Sequence, residues 1–254
     1  MAETVELTSP GKVLKNLLNS FTRKGGNLWD NARFVLADVP LDRARVKKIL
    51  PLGLWPSDPP RATLFIVDYT KTSFTVPYHE AAMLIHVRSP LGPGLHCCWM
   101  VVDDDTAMIY GRELLGYPKK MAQFEFQESD GNIRAAVTRR GVKVMAMEAD
   151  RGQAQNPPPP VFDFKTFNAG AMGQFFIMSP IWLFRVREVI HESYAAEVKL
   201  TLNASEYDPI ASLVAGEQIN GRIVVMDIPG SKYNLPVGIA GVSWFARNFY
   251  MRFR

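Results

Sequence analysis

Between residues 63 and 148 the chain divides into short runs rich in aliphatic, aromatic and β-branched residues, at 63–69, 81–87, 95–102, 106–110, 122–127, 133–139 and 143–148. Turn-forming groups separate them: Ser89-Pro90, Gly92-Pro93-Gly94, Asp103-Asp104-Asp105, Asp130-Gly131-Asn132 and Arg140-Gly141. Short strands at this spacing build an antiparallel sheet or barrel of meandering hairpins. Asp130-Gly131 is a tight hairpin signal. The tract Pro157-Pro158-Pro159-Pro160 is a stiff polyproline segment and reads as a surface loop. Strand-like runs resume after it, at 162–167, 174–177, 181–190, 197–202 and 222–227, and extend the same sheet system.

Helices are few. Val13, Leu14, Leu17 and Leu18 share one face at helical spacing, ahead of a stretch at 22–27 that reads as disordered. An amphipathic helix is expected over 41–50, with Lys47-Lys48 on a solvated basic face and Pro51 ending it. Asp208-Pro209 supplies an N-cap aspartate and a proline at N1 for a short helix through Leu213. There is no internal repeat. The expected architecture is mostly β (α+β): one barrel domain over 29–254 with a few peripheral helices, behind a helical and flexible segment at 1–28.

Composition narrows the function classes. With 47% apolar residues there is material for a sizeable core. The net charge of +4 is small for 254 residues, and no basic stripe carries the interleaved aromatics of a nucleic-acid surface. A mildly positive pocket for a small anion fits this balance. Cys97 and Cys98 are adjacent in an apolar run and read as buried, reduced thiols. No run approaches the roughly 18 apolar residues of a membrane span, and the start of the chain lacks a signal-peptide pattern, so a soluble, cytoplasmic protein is expected. The four histidines show no ligand spacing, Asp103-Asp104-Asp105 reads as a solvated turn, and no metal or dinucleotide motif is present. Neither metal nor organic cofactor is expected.

The feature that carries chemistry is the stretch Gly111-Arg112-Glu113-Leu114-Leu115-Gly116-Tyr117-Pro118-Lys119-Lys120. A lysine is a nucleophile only as the neutral amine, and an ordinary lysine is protonated at neutral pH. Burial or a second cation nearby disfavours the charged form. A desolvated Lys119 beside Lys120 would then be able to form a Schiff base with a ketone. Side chains of neighbouring strand residues point to opposite faces, however, so burial is the alternative route to the same end.

The ten-residue stretch closely resembles the active-site segment of the acetoacetate decarboxylase family, in which Gly-Arg-Glu-Leu leads into Tyr-Pro-Lys-Lys. The resemblance implies a cone-like β-barrel, a homo-oligomer, and a Schiff base on Lys119, with Lys120 as the perturbing neighbour. Activation of a lysine by an adjacent cation is known from acetoacetate decarboxylase itself. Tyr78-His79-Glu80 is similar to the family's Tyr-x-Glu, which makes Glu80 the pocket carboxylate and puts Tyr78 beside it. Arg33 is the counterpart of a pocket arginine that would hold a substrate carboxylate; a surface salt bridge is the alternative reading of the same residue. Arg112 and Glu113 are expected to line the site, to hold the backbone of the motif or to pair with each other.

One part of the pattern departs from the family. A second acid is usual on the strand before Tyr-x-Glu, whereas Leu64-Phe65-Ile66-Val67 is apolar and the nearest acid is Asp68. Three readings follow: decarboxylation of a small β-keto acid, aldol-type condensation and dehydration of a keto acid with an aldehyde, or binding of a keto acid without turnover.

Overall fold

The computed structural model describes residues 27–162, 165–170 and 179–254. Its strands are β1 (Trp29–Pro40), β2 (Trp55–Pro56), β3 (Arg61–Tyr69), β4 (Lys71–Thr72), β5 (Tyr78–Ser89), β6 (Gly92–Val102), β7 (Lys119–Met121), β8 (Gln123–Ser129), β9 (Asn132–Arg139), β10 (Val142–Ala154), β11 (Lys165–Ala169), β12 (Ser179–Leu202) and β13 (Asn220–Ala240). The helices are α1 (Arg43–Ile49), α2 (Asp105–Leu115), α3 (Val242–Arg247) and α4 (Phe249–Phe253), with a 3-10 turn over Pro209–Leu213. None is long and apolar enough to cross a membrane.

Seven strands follow one another in the order β11-β6-β5-β3-β1-β13-β12, and pairing of β11 with β12 closes them into a barrel. Most neighbours are antiparallel; β6 pairs in parallel with β11 and with β7. The long β12 leaves the barrel and pairs with β10 from Tyr194 to Leu202, which carries β10, β9 and β8 away as a flange. That flange covers the outer face of the barrel. Val35, Leu64, Ile66, Met83 and Trp99 point outward into a core shared with Ile133, Val137, Met145 and Met147. Phe34, Phe65, Val67, Tyr69, Tyr78, Ala82, Cys97 and Met100 form a second core inside the barrel.

This double burial explains the apolar runs. A strand covered on both faces has no polar face to alternate with, and residues 62–67 of β3 are all buried. The same effect hid β1. The sequence reading assigned no strand there, yet the 12 residues of β1 join β13 to β3 with residues 34–37 all buried. The Asp130-Gly131 and Arg140-Gly141 turns are present, with positive φ at both residues of each.

Two expectations are corrected. The expected strand at 106–110 is the first half of α2: the Asp104 carboxylate accepts from Ala107 N at 2.7 Å, so the aspartate run starts a helix. The 3-10 turn does follow Asp208-Pro209, but Asp208 makes no capping hydrogen bond, because its carboxylate is engaged by Trp99, Lys120 and Arg139. The helix expected around Val13–Leu18 and the run at 174–177 lie outside the described residues. Helix α1 matches its expectation, with Val46 buried and Lys47 and Lys48 in its last, exposed turn.

Candidate active site

Helix α2 connects β6 to the parallel β7 and buries Ala107 in the interior core, and its C-terminus sets the position of the lysine motif. Gly116 closes the helix in the left-handed conformation (φ 73°), and Tyr117 N bonds back to Gly111 O at 3.0 Å. Pro118 keeps Tyr117 extended, and the chain enters β7 beside β6 with Lys119 level with Met100. Gly111 lies directly against the lysine stem. A Cβ there would meet Lys119 Cδ and Cε at 2.5 Å, so the first glycine of the motif is a passage for the side chain.

Lys119 points into the barrel. Its Nζ lies 2.6 Å from Glu80 Oε2, and both side chains are only 7% exposed. The amine also sits 5.7 Å from the centre of the Tyr78 ring. Tyr78 OH accepts from Trp29 Nε1 at 3.0 Å, and its ring packs on Tyr69 at 4.8 Å. Burial, and then the charge of Glu80, pushes the Tyr69 and Tyr78 phenols well above their ordinary range. Cys97 shares this interior, where burial raises its thiol in the same way. Directly across the β3–β5 pair from Glu80 stands Val67, fully buried. Asp68 lies on the other face, where its carboxylate is 3.8 Å from His79 Nε2.

Lys120 turns the other way. Its Nζ contacts Asp208 Oδ1 at 2.5 Å and Tyr250 O at 3.2 Å. Asp208 is fully buried and also takes Arg139 at 2.8 Å and Trp99 Nε1 at 2.8 Å. Burial lowers Lys120 to about 8 against the opposing pull of Asp208. The placement of Lys120 beside the Lys119 side chain is therefore corrected: residues that alternate along β7 put the two Nζ atoms on opposite sides, and the neighbour of Lys119 is the Glu80 carboxylate.

Two further sequence assignments are corrected. Arg33 lies between Ala32 and Phe34, both of which face the barrel interior, so its own side chain faces out and pairs with Glu128 at 2.5 Å. Glu113 is exposed on α2, on a helix whose buried residues are Ala107 and Gly111. Arg112 holds backbone, donating to Lys119 O at 2.9 Å and to Arg252 O at 3.0 Å.

The sequence reading missed the C-terminal support of this loop. Arg252, buried to 3% exposure, donates to Gly116 O at 3.2 Å, and burial lowers its guanidinium to about 9. The pattern available to find Arg252 was its setting among Phe249, Tyr250, Met251 and Phe253. Among the described residues no group of three or more His, Cys, Asp or Glu is gathered to hold a metal ion.

The acetoacetate decarboxylase family model matches residues 19–235. An acetoacetate decarboxylase from Acidiphilium cryptum is 30% identical over 158 residues, which is 59% of this chain and 60% of that protein's length. A solved acetoacetate decarboxylase superposes with a TM-score of 0.74 at 17% identity, covering 94% of this chain and 99% of that one. The enduracididine biosynthesis enzyme MppR, solved with pyruvate, superposes at 0.68 with 15% identity over 81% of this chain and 88% of its own. At these identities the two structures speak for the fold alone. The family match spans most of the chain and includes the whole lysine motif, and the chain belongs to the acetoacetate decarboxylase family.

Proposed function

We propose that this protein is a cofactor-independent lyase that acts on a small keto acid through a Schiff base on Lys119. The observation that carries the reading is the buried Lys119–Glu80 pair at 2.6 Å inside an apolar barrel. Glu80 is close enough to take a proton from Nζ, which frees the amine to attack a ketone carbon. Loss of water gives a protonated imine. In a β-keto acid the bond to the carboxylate then breaks, CO2 leaves, and its electron pair flows to the imine nitrogen. The enamine is protonated on carbon, with Glu80 the nearest proton donor, and hydrolysis of the imine restores Lys119. Borohydride reduction with acetoacetate or pyruvate, followed by peptide mapping, tests the reading. The expected adduct is on Lys119 and is lost in Lys119→Ala; turnover by that variant overturns the mechanism.

One observation favours a second reading with the same lysine. Val67 stands where a second acid would face Glu80, and among the described residues the amine is met by the Glu80 carboxylate and a wall of aromatic and aliphatic side chains. An enamine of pyruvate attacking an aldehyde, followed by loss of water, needs an imine and one proton-handling group. MppR, solved also with the condensation product of pyruvate and imidazole 4-carboxaldehyde, shares the fold. Assaying CO2 release from acetoacetate against condensation of pyruvate with an aromatic aldehyde separates the two.

A further inference from the structure

A cleft of about 330 Å³ opens on the barrel surface, within the range of small-molecule sites. Pro158, Pro160, Phe162, Val186, Glu188 and Ile190 line it, with Arg185 and Lys232 adding positive charge. Three of these residues, Phe162, Val186 and Ile190, also pack against the interior core that contains Cys97 and Tyr78. The cleft and the barrel interior thus share a wall.

The Phe162 ring is part of that wall. It packs edge-on against Phe34 at 5.8 Å and Phe65 at 5.9 Å. From Phe34 the rings continue to Tyr69 at 6.0 Å and then Tyr78 at 4.8 Å, whose face meets Lys119. An unbroken column of rings runs from the cleft to the amine. Phe162 lies on no strand or helix; it ends the proline segment and is held through backbone. The Glu188 carboxylate accepts from Val161 N at 2.7 Å and from Phe162 N at 2.5 Å. Arg222 donates to the carbonyls of Pro159 and Pro160 at 3.1 and 3.4 Å.

We propose that Phe162 is the gate between this cleft and Lys119, latched by Glu188, and that its ring sets the size of the keto acid's substituent. The cations at the cleft draw in an anionic substrate, and the ring column behind the gate suits a planar, apolar substituent. The substrate class that follows is a keto acid with an aromatic or bulky apolar group. This rests on the Schiff-base reading, so its test needs one readout that does not.

Cys97 supplies that readout, because it lies in the barrel interior while Cys98 faces the outer core. Iodoacetamide labelling followed by peptide mapping reports opening from the cleft without any imine chemistry. Phe162→Ala is expected to speed Cys97 labelling about tenfold or more with Cys98 unchanged, and Glu188→Gln to do so more weakly. In parallel, the ratio of borohydride trapping with phenylpyruvate to that with pyruvate rises in Phe162→Ala. Unchanged Cys97 labelling in both variants, or equal acceleration at both cysteines in both variants, overturns the gate. Faster Cys97 labelling with no adduct on Lys119 from any keto acid upholds the gate and overturns the Schiff-base reading instead.

Discussion

Lys119 and Lys120 are consecutive residues whose amines end in separate compartments, one 2.6 Å from Glu80 inside the barrel and the other 2.5 Å from Asp208 outside it. The doublet therefore acts as one unit by mechanics. Lys120 is tied to Asp208, and through it to Arg139 and Trp99, while Arg112 holds Lys119 O. With the outward lysine anchored, β7 cannot rotate, and the inward lysine stays aimed at Glu80.

Lys120→Met is accordingly expected to cost stability more than chemistry. Removing one member of a buried ionic group costs about 3 kcal/mol, because Asp208 keeps its other partners but loses a close cation. The urea midpoint falls, while borohydride trapping per folded molecule stays within about threefold of the parent, since Lys119 Nζ lies on the other side of β7. Lost trapping at unchanged stability would show instead that Lys120 acts directly on Lys119.

His96 gives the fold an acid-sensitive element. It is buried to 1% exposure with Nδ1 2.8 Å from Phe167 O, and burial holds it down at about 4. As pH falls through 6.5 the unfolded chain takes up a proton that the folded protein refuses until about 4, so stability is lost across that window. His86, also lowered to about 4 by burial, adds in the same direction; His79, raised by its bond to Asp103, opposes. Between pH 7 and 4.5 the His96 share is about 2 kcal/mol. His96→Asn keeps a donor for Phe167 O and should flatten the acid limb by that amount. Urea titrations at the two pH values measure it.

Turn chemistry made the β8–β10 meander legible, because Asp130-Gly131 and Arg140-Gly141 both take the left-handed conformation of tight hairpin turns. Helix α2 was misread since its first residues, Thr106 to Tyr110, are too few to distinguish a period of 3.6 from 2. The decisive contact, Asp104 to Ala107 N, looks the same in sequence as a solvated turn. Lys119, Glu80 and Tyr78 were found from local motifs, and the structure brings those three together. Arg33 failed on a parity of one residue, which on a strand exchanges interior for exterior. Asp208, Tyr250 and Arg252 were out of reach because their partners lie 88, 130 and 136 residues away.

Glu80→Gln separates imine formation from its discharge. The amide retains the size and a hydrogen-bonding oxygen for Lys119 but cannot exchange protons. Product release is expected to fall by about 10²- to 10⁴-fold, the usual yield of a positioned acid–base group. Because the later proton transfers slow most, the trapped fraction at steady state should hold or rise. Stopped assays with and without borohydride read both quantities. Release at the parent rate would reduce Glu80 to a counter-ion.

Gly111→Ala tests the passage beside α2. In an exposed helix interior this change stabilises by about 0.5–1 kcal/mol. Here the new methyl would stand 2.5 Å from Lys119 Cδ and Cε and 3.1 Å from Nζ. Gly111 is itself buried, so the methyl cannot turn away. The mobile partner is the lysine side chain, and moving it draws Nζ from Glu80. Helix stability and chemistry should therefore part: the thermal midpoint stays within a few degrees of the parent, while trapping on Lys119 slows at least about tenfold, as misplacing a reacting group does. A variant that kept its trapping rate would mean that Lys119 reaches a substrate from a position other than the one beside Glu80. A large loss of stability would mean that α2 shifts in place of the lysine.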